Sequence, residues 1–422
     1  MQQNISTKNS LAKVQFCLLT ASLFLSVFIT PIAVILNKLF GGGYIYFVAL
    51  ADLAIILSLL LNLKNLKFSN FKMLDWLILS YLVLSLIYVF YGLADGKSAL
   101  ALTQGFLTAS RFGLVYFAFK LDLLKSLNLR TSKKMLALAL SLIVLVGLAQ
   151  VFKPDVLNYL GYQSSPVKAV STVDGTGLVR AQSLLRGPNP LGAFLLIPLS
   201  LAIFNYKRLI KNKKLLILAL GCLVCLVLTW SRSAWMGLGL ILIIKALSIF
   251  KLNNKKVLIS GSAALVGLAL GFSVYAKTDS FKTVFLHDKP GVGGASTSDD
   301  DRLRSYKNAL NLIAHKPLGL GIADAGPASV RSNSGVNIVE NYYLQIFLQM
   351  GWLGGMLFLT ISLVVIVSLL KSRNQQSLAL VASFLALSLV GIMQPVWADI
   401  SASVWWWGMF SAWLFNSEKP ML

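Results

Sequence analysis

Cysteine is scarce in this chain: there are three in 422 residues, Cys17, Cys222 and Cys225, each inside an apolar run. A disulfide framework is therefore excluded. The CxxC at 222–225 has neither a histidine nor a carboxylate near it, so it reads as an inert buried pair and not as a metal or redox site. Also missing is any ten-residue alternation of apolar and polar positions, the mark of a strand in a membrane barrel. Acidic residues are few, 15 Asp and Glu against 38 Lys and Arg, which leaves a net charge of +23. In a soluble protein that excess would point to nucleic acid. Here most of the cations sit in short connections between apolar blocks, where they orient a chain in a membrane, and nucleic acid is not an expected partner.

What is abundant is hydrocarbon. Hydrophobic residues make up 57% of the chain and the mean hydropathy is +0.75, with membrane-length apolar blocks recurring throughout. The expected fold class is an all-α polytopic membrane protein, because backbone groups in lipid must be satisfied within helices. At about 20 residues per span, twelve transmembrane helices are expected near 14–36, 45–61, 74–93, 99–119, 135–152, 190–206, 215–230, 234–250, 257–276, 341–370, 376–395 and 400–416. The first is too long for a signal-peptide core and lacks a small-residue cleavage site, so it reads as a retained span. Basic clusters follow alternate spans, at Lys64–Lys72, Lys120–Lys134, Lys207–Lys214, Lys251–Lys256 and Lys371–Arg373. The positive-inside rule makes those connections cytoplasmic. The chain is then one integral membrane unit over 1–422 with two long extracytoplasmic loops, 153–189 and 277–340.

The longer loop leads into DDDRLRSYKNALNLIAHKPLGLGIADAG, the longest polar interval in the chain. An amphipathic helix is expected there, with Leu303, Tyr306, Leu310 and Ile313 on one face, Arg304, Asn308, Asn311 and His315 on another, and a stop at Pro317. Glu340 stands alone as a carboxylate where the chain re-enters the membrane; it can serve as a proton acceptor or simply complement a helix dipole. In LVRAQSLLRGPNPLG, Asn189 is expected to cap the next span, leaving Arg180 and Arg186 beside a helix N-terminus, either as anion ligands or as interfacial anchors. Arg232, in TWSRSAWMG, repeats that placement between two tryptophans. Within the membrane, Asp52 and Arg111 read as a buried pair or as part of a substrate path. Gly351, Gly354 and Gly355 read as marks of close packing, and Asp399 as a cap for the last span.

Taken together and in order, RGPNPLG before a span, the SRS turn, DRLRSYKNALNLIAHKPLGLGIADAG and ENYYLQIFLQMGWLGG resemble the O-antigen ligase and polymerase family of bacterial envelope membrane proteins. The resemblance implies an inverting glycosyltransferase of the cytoplasmic membrane that uses no metal and no other cofactor. Its donor would be an undecaprenyl-diphosphate-linked glycan and its acceptor a glycan or glycolipid, with membrane lipid around it and the active site on the extracytoplasmic face. It assigns the diphosphate to Arg186, Arg232 and Arg304; from their positions Arg180, Asn189, Asn341 and His315 are expected as further substrate contacts, and Glu340, the sole carboxylate at the re-entry point, as general base. One position departs from the ligases, which often carry histidine where this chain has Glu340. A different class, a secondary transporter or flippase of lipid-linked oligosaccharide, also commonly has twelve spans, but concentrates polar residues at the midplane and not outside it.

Overall fold

The computed structural model describes residues 2–63, 66–121, 129–164, 167–173, 177–249, 298–332, 338–372 and 374–417. They form fourteen α-helices: α1 Gln2–Phe40, α2 Tyr44–Val48, α3 Leu50–Asn62, α4 Met73–Ala94, α5 Ala99–Lys120, α6 Leu129–Phe152, α7 Pro188–Phe204, α8 Tyr206–Lys211, α9 Lys213–Leu228, α10 Arg232–Ile249, α11 Ser298–His315, α12 Tyr342–Ser372, α13 Gln375–Val390 and α14 Ile400–Ser417. The only β pairing among the described residues is one bridge, Thr172 to Val179. Four helices are long and apolar enough to cross a membrane by length and composition alone, Lys13–Phe40 within α1, α4, α10 and α12; α3, residues 136–152 of α6, α7 and α13 are shorter apolar helices. The expected span at 257–276 lies outside the described residues.

Two helices sit at the centre. Every residue of α5 from Leu107 to Phe119 is buried, and α14 is buried along nearly all of its length. They pack on each other, with α4 and α3 against α5, α1, α7 and α13 against α14, and α10 against α7 and α13. A helix buried on all faces must be apolar all round, and its bulk is aromatic here. Trp406 and Trp407 lie within 5.2 Å of each other, Trp407 within 5.0 Å of Phe112, and Trp406 within 4.7 Å of Phe384. Into this core the sequence puts one guanidinium. Arg111 grips Asp52 with both branches, at 2.6 and 2.9 Å, and donates a third hydrogen bond to the Ala398 carbonyl at 2.6 Å. A charge in an apolar interior persists only when its donors are taken up. The pair ties α3, α5 and the turn before α14 together.

Helix ends follow local chemistry. Ser98 caps α5, Asn212 caps α9, Asn374 caps α13, and Asp399 accepts from Ser401 N and Ala402 N at the start of α14. Two expected spans are not continuous. The 45–61 span divides at Ala49 into α2 and α3. The 341–370 span is interrupted at Met350 and at Gly351, whose φ of +63° is open to glycine but strained for other residues. The chain that follows α11 fills this break. Leu320 N donates to the orphaned Leu348 carbonyl at 2.6 Å, and Trp352 N to the Pro317 carbonyl at 2.9 Å. The approach is so close that a Cβ on Gly351 would stand 2.2 Å from the Pro317 oxygen. Gly351 therefore serves close packing, as its sequence suggested, but through a bend as well.

Candidate functional site

The polar residues singled out in the sequence gather at one end of the bundle, where α4, α6, α9 and α13 finish and α5, α7, α10, α12 and α14 begin. Residues 180–185 return from the α6–α7 connection into this end, with Ala181 through Leu185 all buried. Arg180, half-buried at the mouth of that segment, donates from Nε to the Thr229 carbonyl at 2.9 Å and from Nη2 to Asn189 Oδ1 at 2.7 Å. Asn189 is not the cap expected of it. Helix α7 starts earlier, at Pro188, after an extended Gly187, so Asn189 lies inside the first turn and its side chain turns to Arg180.

Thr229 belongs to the tight turn before α10. Trp230 takes a left-handed φ of +51° there, and the Ser231 and Ser233 hydroxyls face each other at 3.3 Å. Arg232 is the first residue of α10, half-buried, beside the Trp230 and Trp235 rings, which lie 5.7 Å apart. The starts of α7 and α10 touch: a Cβ on Gly192 would lie 2.7 Å from Ala234 Cβ and 3.3 Å from Ser231 Cβ. The N-terminus of α10 thus lies beside that of α7, next to Arg180 and Arg232; Pro188 and Pro190 lack an N–H, so the backbone donors of this corner come from α10 and from Asn189, and with the two guanidiniums they suit a multiply charged anion. Arg186 is exposed just before α7, within electrostatic reach of Tyr44.

From Asn189 a ladder of hydrogen bonds crosses the bundle end. Gln394 Nε2 donates to the Asn189 carbonyl at 3.4 Å, and nearby Gly391 O accepts from Tyr342 N at 2.8 Å. The Tyr306 hydroxyl of α11 donates to the Ile392 carbonyl at 2.6 Å and lies 3.1 Å from the Glu340 carbonyl. Arg302 Nε donates to Glu340 Oε2 at 2.5 Å, in a half-exposed ion pair. Asn341 is buried and caps α12, its Oδ1 accepting from Leu344 N at 3.0 Å.

Helix α11 is where the sequence reading needs the most correction. It ends before Pro317 as expected, but the face it buries is Tyr306, Ala309 and Ile313, against Val339, Leu344 and Leu348. Leu303 and Leu310 are exposed, as are Arg304, Asn308, Asn311 and His315. Arg304 and His315 therefore face away from Glu340; among the described residues the His315 ring bonds the Asn311 carbonyl of its own helix, at 2.8 Å. Arg302, one turn before Tyr306 on the buried face, is the arginine that meets Glu340, and it was not among the residues the sequence reading singled out. The Arg302–Tyr306 spacing was the available signal.

The loop after α11 closes the far side. Asp324, buried, lies 3.1 Å from Lys97 and accepts from the Ser332 hydroxyl, while Arg331 reaches Gln104 Oε1 at 2.6 Å. The hydrogen bond to Asp324 holds the Lys97 ammonium above its ordinary pKa.

The fold and this end define a class: an all-helical membrane protein that presents arginines, a paired carboxylate and the N-terminus of α10 at one end of its bundle. Residues 215–359 match the family described as O-antigen ligase, a stretch running from α9 into α12 and holding Arg232, Arg302 and Glu340. The match supports membership of the O-antigen ligase and polymerase family. No curated protein matches the chain.

Proposed function

We propose that this protein is a membrane glycosyltransferase that moves a glycan from undecaprenyl diphosphate to a sugar hydroxyl of a glycan or glycolipid acceptor, at the extracytoplasmic face of the cytoplasmic membrane. The observation that carries the reading is the presence at one bundle end, inside and beside the segment matching the O-antigen ligase family, of Arg180, Arg232 and the N-terminus of α10 with the Arg302–Glu340 pair. Basic connections at the opposite ends of the helices support the sidedness.

The donor carries its own leaving group, so the chemistry needs a base for the acceptor and positive charge for the departing diphosphate. The acceptor oxygen bonds to the anomeric carbon as the bond from that carbon to the diphosphate oxygen breaks. The electron pair leaves with the lipid diphosphate, and the hydroxyl proton passes to Glu340. A single displacement inverts the anomeric centre. Arg180, Arg186 and Arg232 hold the diphosphate, and Arg302 orients Glu340. Arg304 and His315, on the outward face of α11, are left to contacts with the glycan chains. The test is reconstitution of the full chain in vesicles with purified undecaprenyl-diphosphate glycan and an acceptor. Transfer with stoichiometric release of lipid diphosphate is expected. Movement of the donor across the bilayer without chemistry would mark a flippase and overturn the reading.

A further inference from the structure

Gln150, near the end of α6, is fully buried and lies outside every role described above. Its amide is nonetheless used on both sides. Oε1 accepts from the main-chain N–H groups of Gln182 and Ser183, each at 3.0 Å, and Nε2 donates to the Ala169 carbonyl at 3.0 Å. These partners belong to the segment that re-enters the bundle, and they need what Gln150 provides. Ser183 has a φ of +53°, and neither amide continues a helix. In an apolar interior an N–H without a partner is strongly disfavoured. Two further bonds hold the same turn: Ser183 Oγ donates to the Ile143 carbonyl at 2.6 Å and Gln182 Nε2 to the Lys168 carbonyl at 2.7 Å. Gln150 reaches from α6 to both stretches of the connection, at 169 and at 182–183. Arg180 lies two residues from the clamp, its own N–H on Ser171 O and its guanidinium on Thr229 O and Asn189.

We propose that Gln150 is a positioning residue for the lipid diphosphate: by holding the Gln182 and Ser183 amides, it sets the depth at which Arg180 meets the N-termini of α7 and α10. The inference rests on the reading of Arg180 as a diphosphate ligand. An amide suits the task because it accepts and donates at once without a charge, which a carboxylate or a lysine does not.

The experiment measures KM for the lipid-linked donor and for the acceptor separately, in full-length reconstituted protein, for Gln150→Met, Arg180→Met and the double variant. Gln150→Met is expected to raise the donor KM about tenfold and to leave the acceptor KM unchanged. In the Arg180→Met background it should add no more than about twofold, because its effect passes through Arg180. A purely structural role would lower the yield of folded protein while leaving the donor KM of the folded fraction unchanged, and that result overturns the proposal, as do additive effects in the double variant. If Gln150→Met does not accumulate, Gln150→Glu takes its place; it retains an acceptor for the two amides and is expected to raise the donor KM less, and an unchanged KM there also overturns the proposal. An unaltered donor KM in Arg180→Met alone would instead remove the diphosphate assignment on which the inference stands.

Discussion

Replacing Glu340 by Gln separates two accounts of the Arg302–Glu340 pair by their magnitudes. As a structural contact the pair is worth little: it joins side chains 29% and 50% exposed, and ion pairs in such settings contribute about 0.2–1 kcal/mol. Losing it would slacken α11 against α12, but the Tyr306 bonds and the apolar contacts of Ala309 and Ile313 would remain. Through stability alone, the rate would then change by at most about fivefold, as 1 kcal/mol converts. A general base contributes about 100-fold to 10,000-fold. The expected outcome is a loss of at least about 100-fold in initial transfer rate, measured in protein that is folded and binds donor normally. Swapping the pair, Arg302→Glu with Glu340→Arg, should preserve folding while transfer stays abolished, because the carboxylate then projects from α11 and not from the re-entry point. A Glu340→Gln enzyme within about threefold of wild type would refute the base role.

Three other expectations follow from the same geometry. Arg232→Lys should lose nearly as much transfer activity as Arg232→Ala, since an ammonium lacks the planar fork that holds two phosphate oxygens; wild-type kinetics in the Lys variant would leave only an interfacial anchor. Gly351→Ala should destabilise the protein by more than about 2 kcal/mol, from a left-handed φ and a Cβ driven into the Pro317 carbonyl, and thermal unfolding in detergent would expose the error if the midpoint did not fall. Arg111→Met should cost about 3–5 kcal/mol by leaving Asp52 buried and unpaired, and adding Asp52→Asn should recover much of that. No recovery in the double variant would mean that the guanidinium matters chiefly through its bond to Ala398 O.

Much of the fold was legible because its causes are local. Apolar runs of span length gave the helices, Pro317 gave the end of α11, Asp399 its capping role, and the rarity of buried charge gave the Asp52–Arg111 pair. The site was only partly legible. Arg302 and Arg304 are two residues apart, about 200° around a helix, so choosing between them required knowing which face is buried. Leucines mislead on that question when a helix lies across the end of a membrane bundle: Leu303 and Leu310 are exposed, whereas small Ala309 marks the close contact. The depth of Arg180 was hidden for another reason. Arg180 is held by Thr229 and Asn189 and lies next to the turn that Gln150 clamps, partners that no periodicity connects.

The broken turn of α12 bears on how the chain is assembled. Leu348 O and Trp352 N have no helical partner across the break, and they are satisfied by the Pro317–Leu320 segment that precedes them in synthesis. In synthesis, α11 and its trailing loop precede the helix that needs them, so these two hydrogen bonds form only after α12 is made. Once docked, neither leaves without stripping the Leu348 carbonyl and the Trp352 N–H of their partners. The Pro317–Leu320 segment is thus anchored to α12 at the break, and the stretch of α11 from Arg302 to Pro317 sets where Arg302 lies relative to Glu340. Lengthening or shortening that stretch by one residue would shift Arg302 along and around the axis of its helix, away from Glu340, without altering either side chain.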